Sequence, residues 1–477
     1  MSLKIYNVMS RMKEDFVPLT PGVVKMYACG ITVSGDAHVG HAYQSVVFDV
    51  ITRYLRYLGL DVTYVRNYTD VDDNIIKNAN AIGQDPMQFV EEHIIATDAQ
   101  MDALGNNRPT VMARATHCIG DIIKFIERLI ESGHAYVSDT GNVYFKLDTL
   151  PNYGKLSHIK MDKNEVAVRK DLEPGKENDL DFALWKSAKP GEVSWDSPWG
   201  RGRPGWHIEC SAMNMRFLGD QIDIHGGGRD LVFPHHENEI AQTESVTGRP
   251  FARYWVHCGL VKINGQKMSK SLGNGILLRD MLAQYDADTI RFALLRNVYT
   301  NDIDISDNFF PDARRHIYKM YSILCAAKNA DFARADADKT ASKVSDITAE
   351  FERAMDDNFN TAALLAAAFG WFDFMDTELR KPASVYNLQT IASHIVKLFG
   401  VLNILQQEPC EYISVRKDAF LTAHNITAEF IADKIAERSA AKQNRDFARS
   451  DAIRNELLAL GLDVRDTPNG TEWDIKL

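Results

Sequence analysis

Between residues 29 and 41 the chain reads Cys29-Gly30-Ile31-Thr32-Val33-Ser34-Gly35-Asp36-Ala37-His38-Val39-Gly40-His41, with a thiol at one end and two histidines around a glycine at the other. Imidazole donors at the start of a helix suit phosphate chemistry, because the first helical N–H groups have no internal partner and attract anions. Far downstream, Lys267-Met268-Ser269-Lys270-Ser271 sets two ammonium groups and two hydroxyls between Gly265 and Gly273. Such a loop can fold over a polyphosphate and stabilise the leaving group in the transition state. The bland reading is a solvated basic loop, but five specified positions rarely arise by chance.

A second constellation is of metal-ligand type. His235 and Glu239 stand four apart at a helix start, so both project from one face. Cys29 and Cys210 each fall near the expected end of a strand of one sheet. Two thiolates, an imidazole and a carboxylate complete a tetrahedral zinc shell. Spacing alone leaves the alternative open, in which both cysteines are small buried hydrophobes and His235 caps or packs.

The elements that must position these groups follow an α/β rhythm. Val23 to Ala28 reads as a strand, Ala42 to Val50 as a helix, Leu60 to Arg66 as a second strand, and Val71 to Lys77 as a helix start. Alternation of this kind predicts a parallel, doubly wound sheet with ligands at the carboxyl ends of its strands. Residues 101–200 read as an insertion: a helix over Ile119 to Ser132, a hairpin across Ser138 to Gly141, then a polar loop over 160–181. The sheet is expected to resume near Trp206. A short strand Ile222 to His225 ends on Gly226-Gly227-Gly228, where a ligand can approach the backbone closely, and Asp230 is placed to accept from ligand hydroxyls. Pro234 is expected to open the helix carrying His235.

Residues 1–305 thus form one α/β domain. Residues 306–408 are Ala-rich with helical spacing and predict a helix bundle. Residues 409–477 predict a small mixed module, helical to Leu460 and closing in a hairpin about Pro468-Asn469-Gly470. Lys434, Arg438, Lys442, Arg445 and Arg449 form one stripe, read either as a face tracking nucleic acid or, by preference, as a solvated face balanced by Asp433, Glu437 and Asp446.

Composition narrows the class. At 45% hydrophobic and 25% charged residues, the chain matches an ordinary soluble protein. It shows no apolar run of membrane-spanning length and no signal peptide, so a cytoplasmic protein with no membrane partner is expected. Its six cysteines are scattered at 29, 118, 210, 258, 325 and 410, which predicts free thiols and metal ligands rather than a disulfide framework. The net charge of −11 excludes an overall basic coat but not one basic face.

Taken together, these residues resemble the class I aminoacyl-tRNA synthetases, and among them the cysteinyl-tRNA synthetase family, over nearly the whole chain. His38-Val39-Gly40-His41 matches the HIGH signature and residues 267–271 match KMSKS without a change. Gly205 to Met213, His225 to Gly228, and Phe233 to Gln242 are similar to cysteine-specific signatures, and Ala441 to Asp451 resembles the anticodon-side module. The resemblance implies a Rossmann-like catalytic domain followed by tRNA-binding helices. It implies one zinc ion held by Cys29, Cys210, His235 and Glu239, and ATP as substrate with Mg²⁺. It further implies catalytic roles for His38, His41, Lys267 and Lys270; nucleotide contacts from His38, Gly40, His41, Gly227, Gly228, Asp230 and Lys270; and an amino-acid pocket with Thr69 and Trp206. L-cysteine, ATP and tRNA(Cys) are the implied partners of a monomer.

Two departures stand at the expected pocket mouth. The family has Thr-Val-Tyr-Asp where this chain has Thr32-Val33-Ser34-Gly35, and Arg where this chain has Tyr43. The alternative function is a paralogue ligating activated cysteine to a small amine. An HxGH nucleotidyltransferase and a non-catalytic tRNA-binding paralogue explain fewer of the motifs.

Overall fold

The computed structural model describes residues 2–159, 175–268, 273–381, 383–467 and 470–476. An antiparallel pair, β1 (Lys4–Asn7) and β2 (Met12–Asp15), precedes the alternating elements β3 (Val23–Thr32), α1 (Val39–Tyr57), β4 (Asp61–Thr69), α2 (Asp73–Ala81), α3 (Pro86–Ala103) and β5 (Val111–Arg114). After α4 (Ile119–Glu131) comes an antiparallel four-stranded insertion: β6 (Ala135–Val137), β7 (Val143–Phe145), β8 (Phe182–Ser187) and β9 (Gly202–Pro204). The chain returns through α5 (Trp206–Leu218), β10 (Ile222–Gly228), α6 (Glu237–Thr247) and β11 (Ala252–Cys258). The main sheet is parallel throughout, in the order β11-β10-β3-β4-β5. The chain leaves β3 toward one edge and β10 toward the other, so the crevice lies beyond their carboxyl ends.

One irregularity in β3 matters for that crevice. Ala28 pairs with Arg66 and Ile31 with Tyr68, so β3 carries one residue more than β4. Gly30 sits in this bulge, where a Cβ would lie 1.7 Å from Asn67 O. Before it, Tyr27 and Cys29 join the core beneath α4 and α5; after it, Ile31 and Val33 join a separate core with Phe89 and Val90 of α3. A bulge re-aims the side chains that follow it.

α4 is legible from its pattern, burying Ile119, Ile122, Phe125, Ile126 and Leu129 along one stripe. α5 corrects the sequence reading. The stretch from Trp206 is a helix, not a resumed strand, and Cys210 therefore lies within a helix rather than near a strand end. Every residue from Ile208 to Asn214 is buried, which erases the amphipathic signature that would have announced it.

The first unit continues through β12 (Val261–Ile263), β13 (Gln266–Lys267), α7 (Leu278–Gln284), α8 (Ala287–Leu295) and β14 (Ile303–Ile305), with β12 central in a small sheet ordered β13-β12-β14. This compact unit runs to Ser306 and includes Ala349–Ala367 and Val401–Asn403. Inside it Arg291, fully buried, bonds Asp49 Oδ2 at 2.6 Å, Leu402 O at 2.7 Å and Asn106 Oδ1 at 2.6 Å, while Arg53 Nε bonds the same Asp49 at 2.9 Å.

The second unit comprises Asp307–Thr348, Ala368–Gly400 and the chain from Ile404. Its described elements include α9 (Phe309–Lys328), α12 (Leu388–Phe399), α13 (Pro409–Ala423), α14 (Ala428–Gln443), α15 (Phe447–Ala459) and the antiparallel pair Leu462–Thr467 and Gly470–Ile475, as the sequence predicted. The predicted turn residues Pro468 and Asn469, and 160–174 of the predicted loop, lie outside the described residues. Two of the six cysteines are not free thiols: Cys325 of α9 is disulfide-bonded to Cys410 of α13. The pair is 85 residues apart in sequence, and Tyr321 of α9 stacks on Tyr412 of α13 with centroids 3.9 Å apart. The basic stripe is largely paired within its own unit. Arg438 and Lys442 bond Asp466, Arg449 bonds Glu437, and Lys434 bonds Glu456 at 2.8 Å. Among the described residues no helix is long and apolar enough to cross a membrane.

Candidate functional site

A cleft of about 700 Å³ opens beyond β3 and β10. One side is the start of α1. His38 is the N-cap residue, and its Nδ1 accepts the Gly40 N–H at 3.1 Å while His41 Nδ1 accepts the His38 N–H at 3.3 Å. This reciprocal capping satisfies two otherwise orphaned backbone donors. It also sets the tautomer: each ring carries its proton on Nε2 and is a donor through that nitrogen. The two rings stack with centroids 3.7 Å apart. Gly40 keeps this space clear, since a Cβ there would crowd the His38 ring at 3.1 Å and Met268 Cε at 3.3 Å.

The predicted metal ligands converge at the same cleft. Cys29 comes from the end of β3, Cys210 from α5, His235 from the turn before α6, and Glu239 from its first turn, and their ligand atoms all lie within 4.8 Å of one another. Cys29 Sγ donates to Glu239 Oε1 at 3.2 Å, and His235 Nε2 faces the same oxygen at 3.1 Å. Glu239 is fully buried, and its Oε2 lies 3.3 Å from His225 Nε2 outside strict hydrogen-bond geometry. A buried carboxylate among two thiols and an imidazole is a donor set that fits a divalent cation such as zinc. His207 supports the set by meeting His235 Nδ1 at 2.9 Å, which turns the Nε2 of that ring toward Glu239.

The electrostatics agree with that arrangement. Burial pushes the Cys29 thiol well up, reinforced by its hydrogen bond with Cys210. The same bond pulls the Cys210 thiol down to about 6, against burial and with help from His235. Burial opposes ionisation of Glu239, but the imidazoles of His225 and His235 outweigh it and hold the carboxyl well below its usual range. Burial also lowers His235, yet Cys210 and Glu239 overcome it and raise the ring to about 10.

Sequence reasoning missed two further ligand-type residues. His225 and His236 form a second quartet with Cys29 and Glu239, with His225 Nε2 at 3.3 Å from Glu239 Oε2 and 3.6 Å from Cys29 Sγ. The signals were present: His225 lies on β10, beside Tyr27 of the strand bearing Cys29, and His236 stands three before Glu239. His236 in turn meets His257 Nε2 at 2.8 Å.

Of the remaining predicted residues, Thr69, Trp206, Gly228, Asp230 and Lys267 also line the cleft. Trp206 is 38% exposed and lies over the His235 ring, their centroids 4.4 Å apart. Gly227 is not part of the lining; it packs on His236 and Leu231, where a Cβ would meet Leu231 Cδ1 at 2.9 Å. Lys270, with Ser269 and Ser271, lies outside the described residues. Ser34 and Gly35 line the cleft as expected at its mouth, but Tyr43 does not. Tyr43 is 1% exposed and donates its hydroxyl to Tyr299 O at 3.0 Å.

Known proteins resolve the family. The domain described as tRNA synthetases class I (C) catalytic domain matches residues 15–315. The chain is 47% identical to the cysteine–tRNA ligase of Syntrophotalea carbinolica, with 99% of each chain covered. The chain belongs to the cysteine–tRNA ligase family. The cysteine–tRNA ligase of Geobacter sulfurreducens is 46% identical over the full length of both chains. Among solved structures, the fold is similar to Mycobacterium tuberculosis methionyl-tRNA synthetase in complex with methionyl-adenylate, at a TM-score of 0.57 and 16% identity over 85% of this chain and 94% of that one. It is likewise similar to a leucyl enzyme from Agrobacterium radiobacter K84 in a ternary complex with tRNA, at 0.57 and 12% over 83% and 87%. For this member of the cysteine–tRNA ligase family, those structures speak to the fold alone.

Proposed function

We propose that the chain activates L-cysteine with ATP to cysteinyl-adenylate and transfers the cysteinyl group to the 3′ end of tRNA(Cys). The observation that carries this reading is a single cleft lined by Cys29, Cys210 and His235 together with His38, His41, Asp230 and Lys267. Cysteine and serine differ by one atom, and a pocket relying on size separates such near-isosteres poorly. Cys29, Cys210, His235 and Glu239 would hold a zinc ion, which would supply a Lewis acid that favours a thiolate over a hydroxyl. Thr69 and Trp206 shape the space around the substrate side chain.

In the first step a carboxylate oxygen of cysteine attacks the α-phosphorus of ATP, taken as its Mg²⁺ complex, and the bond to pyrophosphate breaks. His38 and His41 donate from Nε2 to the phosphate oxygens as charge builds there, with Gly40 leaving the helix start open to them. Lys267 and Lys270 meet the departing pyrophosphate. Asp230 accepts from the ribose hydroxyls, beside Gly227 and Gly228. In the second step a hydroxyl of the terminal adenosine of tRNA attacks the carbonyl carbon and AMP leaves. Residues 306–408 and 409–477 serve as the helical tRNA-binding region and the anticodon-side module of a cytoplasmic monomer.

Cysteine-dependent ATP–pyrophosphate exchange followed by charging of tRNA(Cys) tests the reading. Both activities are expected. Exchange without charging transfers the assignment to a ligase acting on a small amine, and no exchange removes the activation chemistry altogether.

A further inference from the structure

Residues 298–302, the turn ahead of β14, gather polar contacts from three segments that carry the proposed chemistry. The turn closes with the Asn301 N–H donating to Val298 O at 2.9 Å. Tyr299 O then accepts twice, from the Gly259 N–H at 2.8 Å and from the Tyr43 hydroxyl at 3.0 Å. The hydroxyl of Tyr299 donates to Asn358 Oδ1 at 2.8 Å, which fixes the turn from its far side. Asp302 Oδ1 accepts the Leu260 N–H at 2.9 Å and a bond from Arg229, and its Oδ2 lies 3.1 Å from Lys262 Nζ.

Each of these partners adjoins a named site group. Tyr43 stands on α1 two residues past His41. Arg229 lies between Gly228 and Asp230. Lys262 pairs with Lys267 across β12 and β13. Gly259 lets the segments touch, since a Cβ there would fall 1.9 Å from Asn301 O. The strand that follows Asp302 supports the hairpin directly: Val261, Lys262 and Ile263 of β12 pair with Ile303, Asp304 and Ile305 of β14. On the other flank of the loop, His38 bridges to Leu277 and the Val39 N–H donates to Ile276 O at 2.9 Å. The lysine hairpin is therefore fixed at its base to the histidine-started helix through one turn.

We infer that Tyr43 and Asp302 are positioning residues that hold the hairpin bearing Lys267 at a set distance from His38 and His41. The inference rests on the activation reading given above, and it assigns a use to the residue that departs from the family pattern at position 43. The bland alternatives are that Tyr43 is a core aromatic with a satisfied hydroxyl, and that Asp302, with a side chain 23% exposed, forms screened surface pairs of little worth. They differ in what the reaction feels. Displacing a charge-stabilising group by about 1 Å costs up to roughly a hundredfold in rate.

Tyr43→Phe keeps the ring and removes the bond to Tyr299, and Asp302→Asn keeps the shape and removes the charge. Each is expected to lower kcat for cysteine-dependent pyrophosphate exchange by about tenfold or more. The KM for cysteine, the zinc content and the single-turnover transfer to tRNA from cysteinyl-adenylate preformed on the enzyme stay within about twofold, because transfer no longer involves pyrophosphate. Asp302→Glu is expected to recover much of the lost exchange, and the double variant to lose less than the product of the singles, since both act through one turn. Exchange within about twofold of the unsubstituted protein in both single variants overturns the inference. So does a parallel fall in exchange, transfer and thermal midpoint, which is the signature of general destabilisation. If the unsubstituted protein shows no exchange, the functional reading fails and this one with it.

Discussion

The catalytic unit buries two ionic clusters, and they are built on opposite principles. Around Asp49 every charge is answered: Arg291 spends its donors on Asp49, Leu402 O, Leu104 O and Asn106, and Arg53 meets the same carboxylate. Around Glu239 the answer is incomplete: His225 Nδ1 and His236 Nε2 lack hydrogen-bond partners, and Glu239 Oε2 meets His225 Nε2 at 3.3 Å only outside hydrogen-bond geometry, in a site without solvent exposure. Leaving buried polar groups unpaired costs about 1–3 kcal/mol each. A protein tolerates that cost where something outside the polypeptide completes the set. The first cluster holds the fold; the second has the donor set of a binding site.

The largest test breaks the second cluster. Cys210→Ser is expected to take zinc content from about one per chain to a small fraction of that, and cysteine-dependent exchange to background. Elemental analysis and exchange are read on the same sample, and full zinc retention would remove Cys210 from the ligand set. Breaking the first cluster should do the reverse. Asp49→Ala strands Arg291 in the interior and is expected to cost about 3–5 kcal/mol of unfolding free energy. Urea titration measures it, and the zinc content per folded chain should not change.

His207→Ala tests the support of the second cluster rather than its ligands. It should weaken zinc about 10–100-fold in competition with a chelator while leaving urea stability close to that of the unsubstituted chain. The smallest effect belongs to a surface cluster, which isolates what burial contributes. Arg438 and, after it, Lys442 hold the Asp466 carboxyl far below its usual range. A depressed folded pKa gives stability that is present above the unfolded carboxylate pKa and lost as pH falls through the folded one. Because half of the Asp466 side chain is exposed, solvent screening limits the effect to under about 1 kcal/mol. Comparing Asp466→Asn with the parent at neutral pH and at pH near 2 should show a difference at the former that narrows at the latter.

The sequence exposed most strongly those features whose cause is local. The apolar stripe of α4, the hairpin of β6 and β7, and the His-x-Gly-His helix start each follow from a few consecutive residues. Features created by packing were harder to read. α5 is buried on every side and lost its periodicity, so Cys210 was assigned to the wrong kind of element. His225 and His236 look like ordinary members of a strand end and a turn until β10 is set beside β3. Cys325 and Cys410, in helices far apart along the chain, have no signal linking them until α9 meets α13. Tyr43 was placed at the cleft by analogy with an arginine, but its own chemistry, a large ring with one hydroxyl, suits a buried brace.

The extra residue in β3 has a consequence for how the chain can vary. A strand is a two-stroke alternation, and the bulge at Gly30 shifts its phase by one. Upstream, the alternation delivers Cys29 to the core it shares with Cys210; downstream, it delivers Ile31 and Val33 to the core under α3. Were the strand regular through residue 30, with no bulge, Tyr27, Cys29, Ile31 and Val33 would all share one face. Either the thiol or the two aliphatic side chains would then face the wrong layer. Position 30 therefore tolerates no side chain, and the smallest residue in the strand keeps Cys29 and the loop leading to His38 in step.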